Sequence, residues 1–117
     1  MKPTELSRQL VSPDTAHVSL WLPPELFWFQ GHFSEQPILP GLAQIDWVLR
    51  YGYELFAMEE KFKGIDSVKF QSPIRPSETL LLKLHWQADR ARLDFTYEVE
   101  HGTQLQLVSN GRISLGA

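Results

Sequence analysis

Apolar and polar residues alternate along most of this chain, and one long segment breaks the rhythm. Between Thr15 and Leu22, Val18, Leu20 and Leu22 fall on one side, while His17, Ser19 and Trp21 fall on the other. A period of two predicts a half-buried strand. Pro23-Pro24 ends it, since proline cannot donate to a ladder. The alternation returns later. A strand is predicted from about Ile65 to Phe70. Leu80, Leu82, Leu84 and Trp86 share one face over 79–87, and Ala91, Leu93, Phe95, Tyr97 and Val99 share one over 91–99. Leu105, Leu107, Ile113 and Leu115 do the same in the last stretch, with Gly111 between them. The segments ADR (88–90) and HGT (101–103) suit hairpin turns, and QSPIRPSE (71–78) is a proline-punctuated loop.

The exception begins at Pro40. Proline fits the first turn of a helix, where its missing N–H is not needed. Leu42, Ile45, Leu49, Tyr53 and Phe56 follow helical spacing, and Trp47, Val48, Tyr51 and Leu55 fill most of the remaining circumference. The pattern predicts a helix from 41 to about 58. A helix apolar nearly all round is a buried one. Asp46, Arg50 and Glu54 stand four apart and form one narrow polar line. The run MEEKFKG closes the element, with Gly64 as its stop. Before the first strand, residues 1–13 are polar and end in Ser-Pro, which reads as a loose arm; ELFWFQGHF (25–33) reads as one helical turn or irregular chain. The resulting order is a strand, a long buried helix, then four strands on short connections. An antiparallel sheet with one apolar face must be covered, and the central helix is the only cover available. The predicted fold is therefore α+β of the hotdog type, one helix wrapped by a curled antiparallel sheet.

A length of 117 residues suits a single domain spanning 1–117. With no cysteine there is neither a disulfide framework nor a thiolate metal site. The formal net charge of −3 argues against a nucleic-acid surface. The N-terminal residues lack the apolar core of a signal peptide, and no run is long enough to span a membrane, so the expected location is the cytoplasm.

Chemistry concentrates in GHFSEQPILPGLAQID, residues 31–46. His32 precedes the helix, Gly41 lies at its N-terminus, and Asp46 projects about a turn later. Free N–H groups and the dipole at a helix N-terminus favour developing negative charge. A base, an oxyanion donor and an acid are the parts needed to remove an α-proton from a thioester with loss of a β-hydroxyl. His32 and Asp46 are far apart along the chain, so only a fold or a dimer can join them.

The same residues carry a resemblance. His32-Phe33, Pro37, Pro40-Gly41 and Asp46 match the active-site signature of bacterial 3-hydroxyacyl-acyl carrier protein dehydratases. FQSPIRPSETL (70–80) is similar to a second family segment, with Ser77-Glu78 in place of Gly-Asp. QIDWVLRYG (44–52) resembles the small stand-alone dehydratases associated with aryl polyene biosynthesis. The likeness runs from about residue 15 to the end. Arg50 stands where the fatty-acid enzymes usually carry Gln. The resemblance implies a hotdog homodimer, or a higher homo-oligomer, with active sites at the subunit interface. His32 would take the C2 proton, Asp46 of the other chain would protonate the leaving C3 hydroxyl, and the Gly41 N–H would bind the thioester carbonyl. Phe33 and Pro40 would help hold the substrate. That substrate would be a 3-hydroxyacyl chain on the phosphopantetheine arm of acyl carrier protein, dehydrated to the trans-2-enoyl thioester; no other cofactor is implied. Lys69 and Arg75 are candidates for docking the acidic carrier.

Plainer readings stand beside these. His32 could simply bond to a loop. Asp46 and Arg50 could form an i,i+4 ion pair worth about 0.2–0.5 kcal/mol if exposed. Helix-start chemistry alone accounts for Pro40 and Gly41. His17, His85 and His101 fall on solvent faces or in a turn and receive no role, and Trp21, Trp28, Trp47 and Trp86 read as core or interface residues. The four histidines are dispersed, so no metal site is expected. Two alternative functions remain: a hotdog acyl-thioesterase, and a catalytically silent module that binds acyl carriers.

Overall fold

The computed structural model describes residues 2–30 and 37–116. Six strands and one α-helix follow one another: β1 (Thr4–Ser12), β2 (Thr15–Trp21), a 3-10 turn (Phe27–Phe29), α1 (Gly41–Phe56), β3 (Lys61–Phe70), β4 (Thr79–Gln87), β5 (Arg92–His101) and β6 (Gln104–Gly116). The strands form one antiparallel sheet in the order β1-β2-β4-β5-β6-β3. The sheet stays open, with β1 and β3 as its edges.

Its apolar face is built from the predicted alternation. Val18 and Leu20 on β2, Leu80, Leu82 and Leu84 on β4, and Leu93, Phe95 and Tyr97 on β5 are all buried. They join Ala43, Trp47, Val48 and Tyr51 of α1 in one core. The helix thus covers the middle of the sheet.

Three sequence expectations need correction. First, the supposed loose arm is strand β1, paired to β2 from Thr4↔Trp21 to Ser12↔Thr15. Its apolar residues Leu6, Leu10 and Val11 are exposed, and the register shifts bracket Leu6 and Val11, so no alternation survives to be read. Backbone pairing and Arg8 hold the strand instead. The Arg8 guanidinium donates to Glu5 at 2.7 Å and to Glu54 of α1 at 3.0 Å, and lies 5.5 Å from the centre of the Tyr51 ring.

Second, the last strand reverses its facing. Ile113 and Leu115 are buried, but Leu105 and Leu107 are exposed. Tyr97 pairs with Ser109 and Glu98 with Leu107, which leaves Val108 as an extra residue. A one-residue bulge turns every following side chain to the other face, and Val108 takes the buried place.

Third, α1 ends at Phe56, and Ala57 adopts the left-handed conformation that closes it. Gly64 lies well inside β3, beside a register shift. Nor is α1 buried all round: Leu42 is 74% exposed.

Two glycines within the sheet separate tight from open positions. A Cβ at Gly111 would lie 2.7 Å from the Ser67 carbonyl oxygen and 2.8 Å from the Phe95 ring, whereas one at Gly64 would meet nothing within 4 Å. Backbone oxygen cannot step aside. Gly111→Ala is therefore expected to destabilise the protein by about 1–3 kcal/mol. Gly64→Ala should stay within about 0.5 kcal/mol of the parent. Urea denaturation of the two variants checks the contrast.

Candidate active site

Local chemistry sets the start of α1. Pro40 is the N-cap and has no side chain able to accept a hydrogen bond from the first turn. Its carbonyl accepts from the N–H groups of Ala43 and Gln44. The N–H groups of Gly41 and Leu42 precede these and take no part in that pairing. Among the described residues no side chain caps this start, and the positive end of the helix dipole lies at these N–H groups.

These donors adjoin an apolar groove of about 420 Å³ between α1 and β3. Gly41, Leu42, Ile45, Asp46 and Leu49 line it from the helix; Phe62, Ile65, Val68 and Phe70 line it from the strand. Among the described residues, Asp46 supplies the only ionisable side chain in this lining. Its Oδ2 accepts from Arg50 Nε at 2.9 Å, with the two side chains 46% and 49% exposed. The ion pair foreseen from the i,i+4 spacing thus exists, and it coexists with the position of Asp46 in the groove. Such exposed pairs contribute little, about 0.2–0.5 kcal/mol.

Gly41 has a steric reason to be glycine. A Cβ there would sit 2.5 Å from the tip of the Phe70 ring. Phe70 is half-exposed at the sheet edge, so its ring closes over the helix N-terminus. The sequence reading quoted Phe70 within its motif but gave it no role. It also missed Phe62, Ile65 and Val68, whose apolar character on an exposed strand was the available signal.

Beneath the groove lies a second feature that periodicity did not reveal. Gln44 is 4% exposed inside α1. Its Oε1 accepts from Ser109 Oγ at 2.7 Å, and its main-chain oxygen accepts from the Tyr97 hydroxyl at 2.7 Å. Burial holds the Tyr97 phenol well above its usual pKa, so it stays a donor.

Of the residues marked in the sequence, the structure brings Gly41 and Asp46 to one groove, with Pro40 as the N-cap immediately before Gly41. His32 and Phe33 lie outside the described residues. Lys69 and Arg75 are exposed. Arg75 belongs to the loop whose Ile74 carbonyl accepts from the Leu39 N–H, just ahead of the helix. Among the described residues no cluster of His, Asp or Glu could hold a metal ion, and no helix is long and apolar enough to cross a membrane.

A profile of the ApeI-like family, described as ApeI dehydratase, matches residues 8–112. The chain belongs to the ApeI-like dehydratase family. A solved structure described as the dehydratase heterocomplex ApeI:P from Xenorhabdus doucetiae superposes with a TM-score of 0.92 at 44% identity, covering 100% of both chains. An uncharacterised protein from Erwinia carotovora subsp. atroseptica matches at 0.90 and 40% identity, over 98% of this chain and 96% of that one. The dehydratase domain of the polyketide PpsC from Mycobacterium tuberculosis, at 18% identity and a TM-score of 0.77, covers 100% of this chain and 45% of that one and shares the fold. The hotdog architecture predicted from the alternation is thus shown. Among curated proteins, the 3-hydroxyacyl-[acyl-carrier-protein] dehydratase FabZ of Syntrophobacter fumaroxidans is 38% identical over 65 residues, 49% of this chain and 44% of that protein. Its counterpart from Desulfotalea psychrophila is 32% identical over 77 residues, 58% of this chain and 51% of that protein. The chain spans about half the length of the curated relatives it matches.

The contact between Gly41 and Phe70 is open to a double-mutant cycle. Gly41→Ala alone should cost at most about 1 kcal/mol, because the tip of the half-exposed Phe70 ring can swing aside. In a Phe70→Ala background the same change should be neutral, so the two sites should couple by no more than about 1 kcal/mol. Denaturation of the four proteins measures it.

Proposed function

We propose that this ApeI-like chain dehydrates a 3-hydroxyacyl thioester carried on acyl carrier protein, giving the trans-2-enoyl thioester and water. The observation that carries the reading is that, among the described residues, a helix N-terminus with no side-chain cap at Gly41 stands beside a single carboxylate, Asp46, in an otherwise apolar groove. The apolar lining suits an acyl chain. The N–H groups at the helix start suit a thioester carbonyl whose oxygen gains negative charge as C2 loses its proton.

In this reading His32 takes the C2 proton, and the electron pair moves into the thioester, where the Gly41 N–H stabilises it. The pair then returns to form the C2–C3 double bond as the C3 hydroxyl departs, protonated by Asp46, as water. Protonation of the leaving group is what makes hydroxide loss feasible near neutral pH. Phe33 and Pro40 would bound the reacting end of the substrate.

The groove also supports association with a second hotdog chain. Leu42, Phe62, Ile65 and Phe70 are each at least 45% exposed on one side of the molecule. A contiguous apolar surface of that kind marks an interaction site, and β3 beside it is an unpaired sheet edge. Two chains could pair edge to edge through β3, and the family resemblance implies that His32 of one chain then works with Asp46 of the other. The partner is a copy of this chain or, as in the ApeI:P heterocomplex, a different one. Exposed Lys69 and Arg75 would face an acidic carrier protein.

His32→Ala and Asp46→Asn should each lower turnover of a 3-hydroxyacyl carrier substrate by about two orders of magnitude or more, read by mass spectrometry of the acyl-carrier pool. Both variants should still fold. Co-expression of the two should restore part of the activity through heterodimers with one intact site. Near-normal turnover by either single variant refutes the mechanism. Release of free thiol in place of an enoyl product identifies a thioesterase instead.

Charge reversal at Lys69 and Arg75 together should raise KM for the carrier-bound substrate and flatten its salt dependence, because screening then has less attraction to weaken. Titration of the rate against ionic strength checks this.

A further inference from the structure

The start of α1 lacks the device that normally fixes such a start. An N-cap Ser, Thr, Asp or Asn would accept from the first-turn N–H groups and hold them in place. Pro40 cannot, and makes no side-chain cap bond. A conventional cap would also occupy the donors that a thioester carbonyl needs. Something else must hold the turn while leaving Gly41 and Leu42 free.

The bonds around Gln44 supply that hold from the buried side. Side chains on a helix lean toward its N-terminus, and the Gln44 Nε2 reaches back to donate to the Leu39 carbonyl at 3.4 Å. The N–H of the same Leu39 donates to the Ile74 carbonyl at 2.7 Å. The residue that leads into Pro40-Gly41 is thereby gripped at both its polar atoms. Gln44 is in turn fixed to the sheet twice, by Ser109 of β6 through its side chain and by Tyr97 of β5 through its main chain. Leu39 and Ser109 are both nearly fully buried, so water cannot replace these partners easily. Each of these buried bonds resists loosening, since losing one would leave a buried polar atom without its partner.

We infer that Gln44, anchored by Ser109 and Tyr97, is a positioning residue that fixes the segment entering α1 and so aims the Gly41 N–H into the groove. It touches no reacting atom. The inference rests on the dehydratase reading for its catalytic consequence, but not for its structural one.

The test uses Gln44→Met with Ser109→Ala. Removing both side-chain partners avoids stranding the Ser109 hydroxyl, so the double variant should keep most of its stability. Two measurements follow. Amide hydrogen exchange at Leu39 should quicken by about tenfold or more, while amides of β4 and β5 exchange as before. Turnover of the carrier-bound 3-hydroxyacyl substrate should fall in kcat by about ten- to a hundredfold, with KM changed by less than about threefold. Restoring Gln44 alone, in Ser109→Ala, should recover part of kcat, because the Leu39 bond returns and the main-chain bond from Tyr97 is kept, while the Ser109 anchor stays lost. Unchanged exchange at Leu39 overturns the positioning role. So does a kcat within about twofold of the parent, or a loss that falls on KM alone. Should the parent prove inactive as a dehydratase, the functional reading fails and the exchange measurement still decides whether Gln44 holds the helix entry.

Discussion

One helix carries more apolar circumference than one open sheet can cover, and the rest of the molecule follows from that excess. Ala43, Trp47, Val48 and Tyr51 face the sheet and form the core. Leu42, Ile45 and Leu49 face sideways, toward β3. Strand β3 cannot finish the job, because it is an edge and its own apolar residues Phe62, Ile65, Val68 and Phe70 are exposed. Two incomplete apolar surfaces thus enclose a groove. The groove is apolar because neither surface finishes covering the other, so the pocket and the exposed apolar surface are one feature.

Polar chemistry is confined to the two ends of this arrangement. At the outer end stand the Gly41 N–H and the Asp46 carboxylate. At the inner end the Tyr97–Gln44–Ser109 bonds tie the first turn of α1 to β5 and β6. Glycine at 41 and phenylalanine at 70 are likewise a single choice, since the ring occupies the space a Cβ would need. The helix start is therefore located by contacts on its buried side and by an aromatic ring on its open side, and among the described residues no side chain caps its first donors.

How much of this the sequence disclosed depended on where periodicity held. β2, β4 and β5 alternate without a break, and they appear where predicted. Helix α1 is legible from its spacing and from Pro40. β1 was hidden because register shifts at Leu6 and Val11 leave its apolar residues out of phase and unburied. Leu105 and Leu107 were assigned to the wrong face because the bulge at Val108 is a property of the pairing with β5, not of β6 alone. The end of α1 was misplaced because its stop is Ala57, a residue with no stop signal. At the groove, Gly41 and Asp46 were marked by the resemblance, since spacing alone could not bring a site together. Gln44 was not, since a glutamine in a helix looks like a surface residue until the strands beneath it are placed. His32 lies outside the described residues, so its legibility rests on the motif alone.

Covering the groove changes the meaning of the Asp46–Arg50 pair. In the single chain both side chains are nearly half-exposed, water screens them, and the pair is a weak surface contact. Under a second chain the same 2.9 Å contact would lose water. Attraction and desolvation then both grow, and a buried pair is tolerated only where further hydrogen bonds satisfy the atoms left over. Arg50 bonds to Oδ2 of Asp46, and among the described residues Oδ1 has no hydrogen-bond partner. In the proposed reaction the proton that Asp46 gives to the leaving hydroxyl would stand on Oδ1, while Oδ2 keeps the bond from Arg50. Arg50 would then hold the carboxyl group in a fixed orientation with its acidic oxygen toward the groove. The residue that departs from the fatty-acid pattern is in this way compatible with the chemistry that the Asp46 position implies.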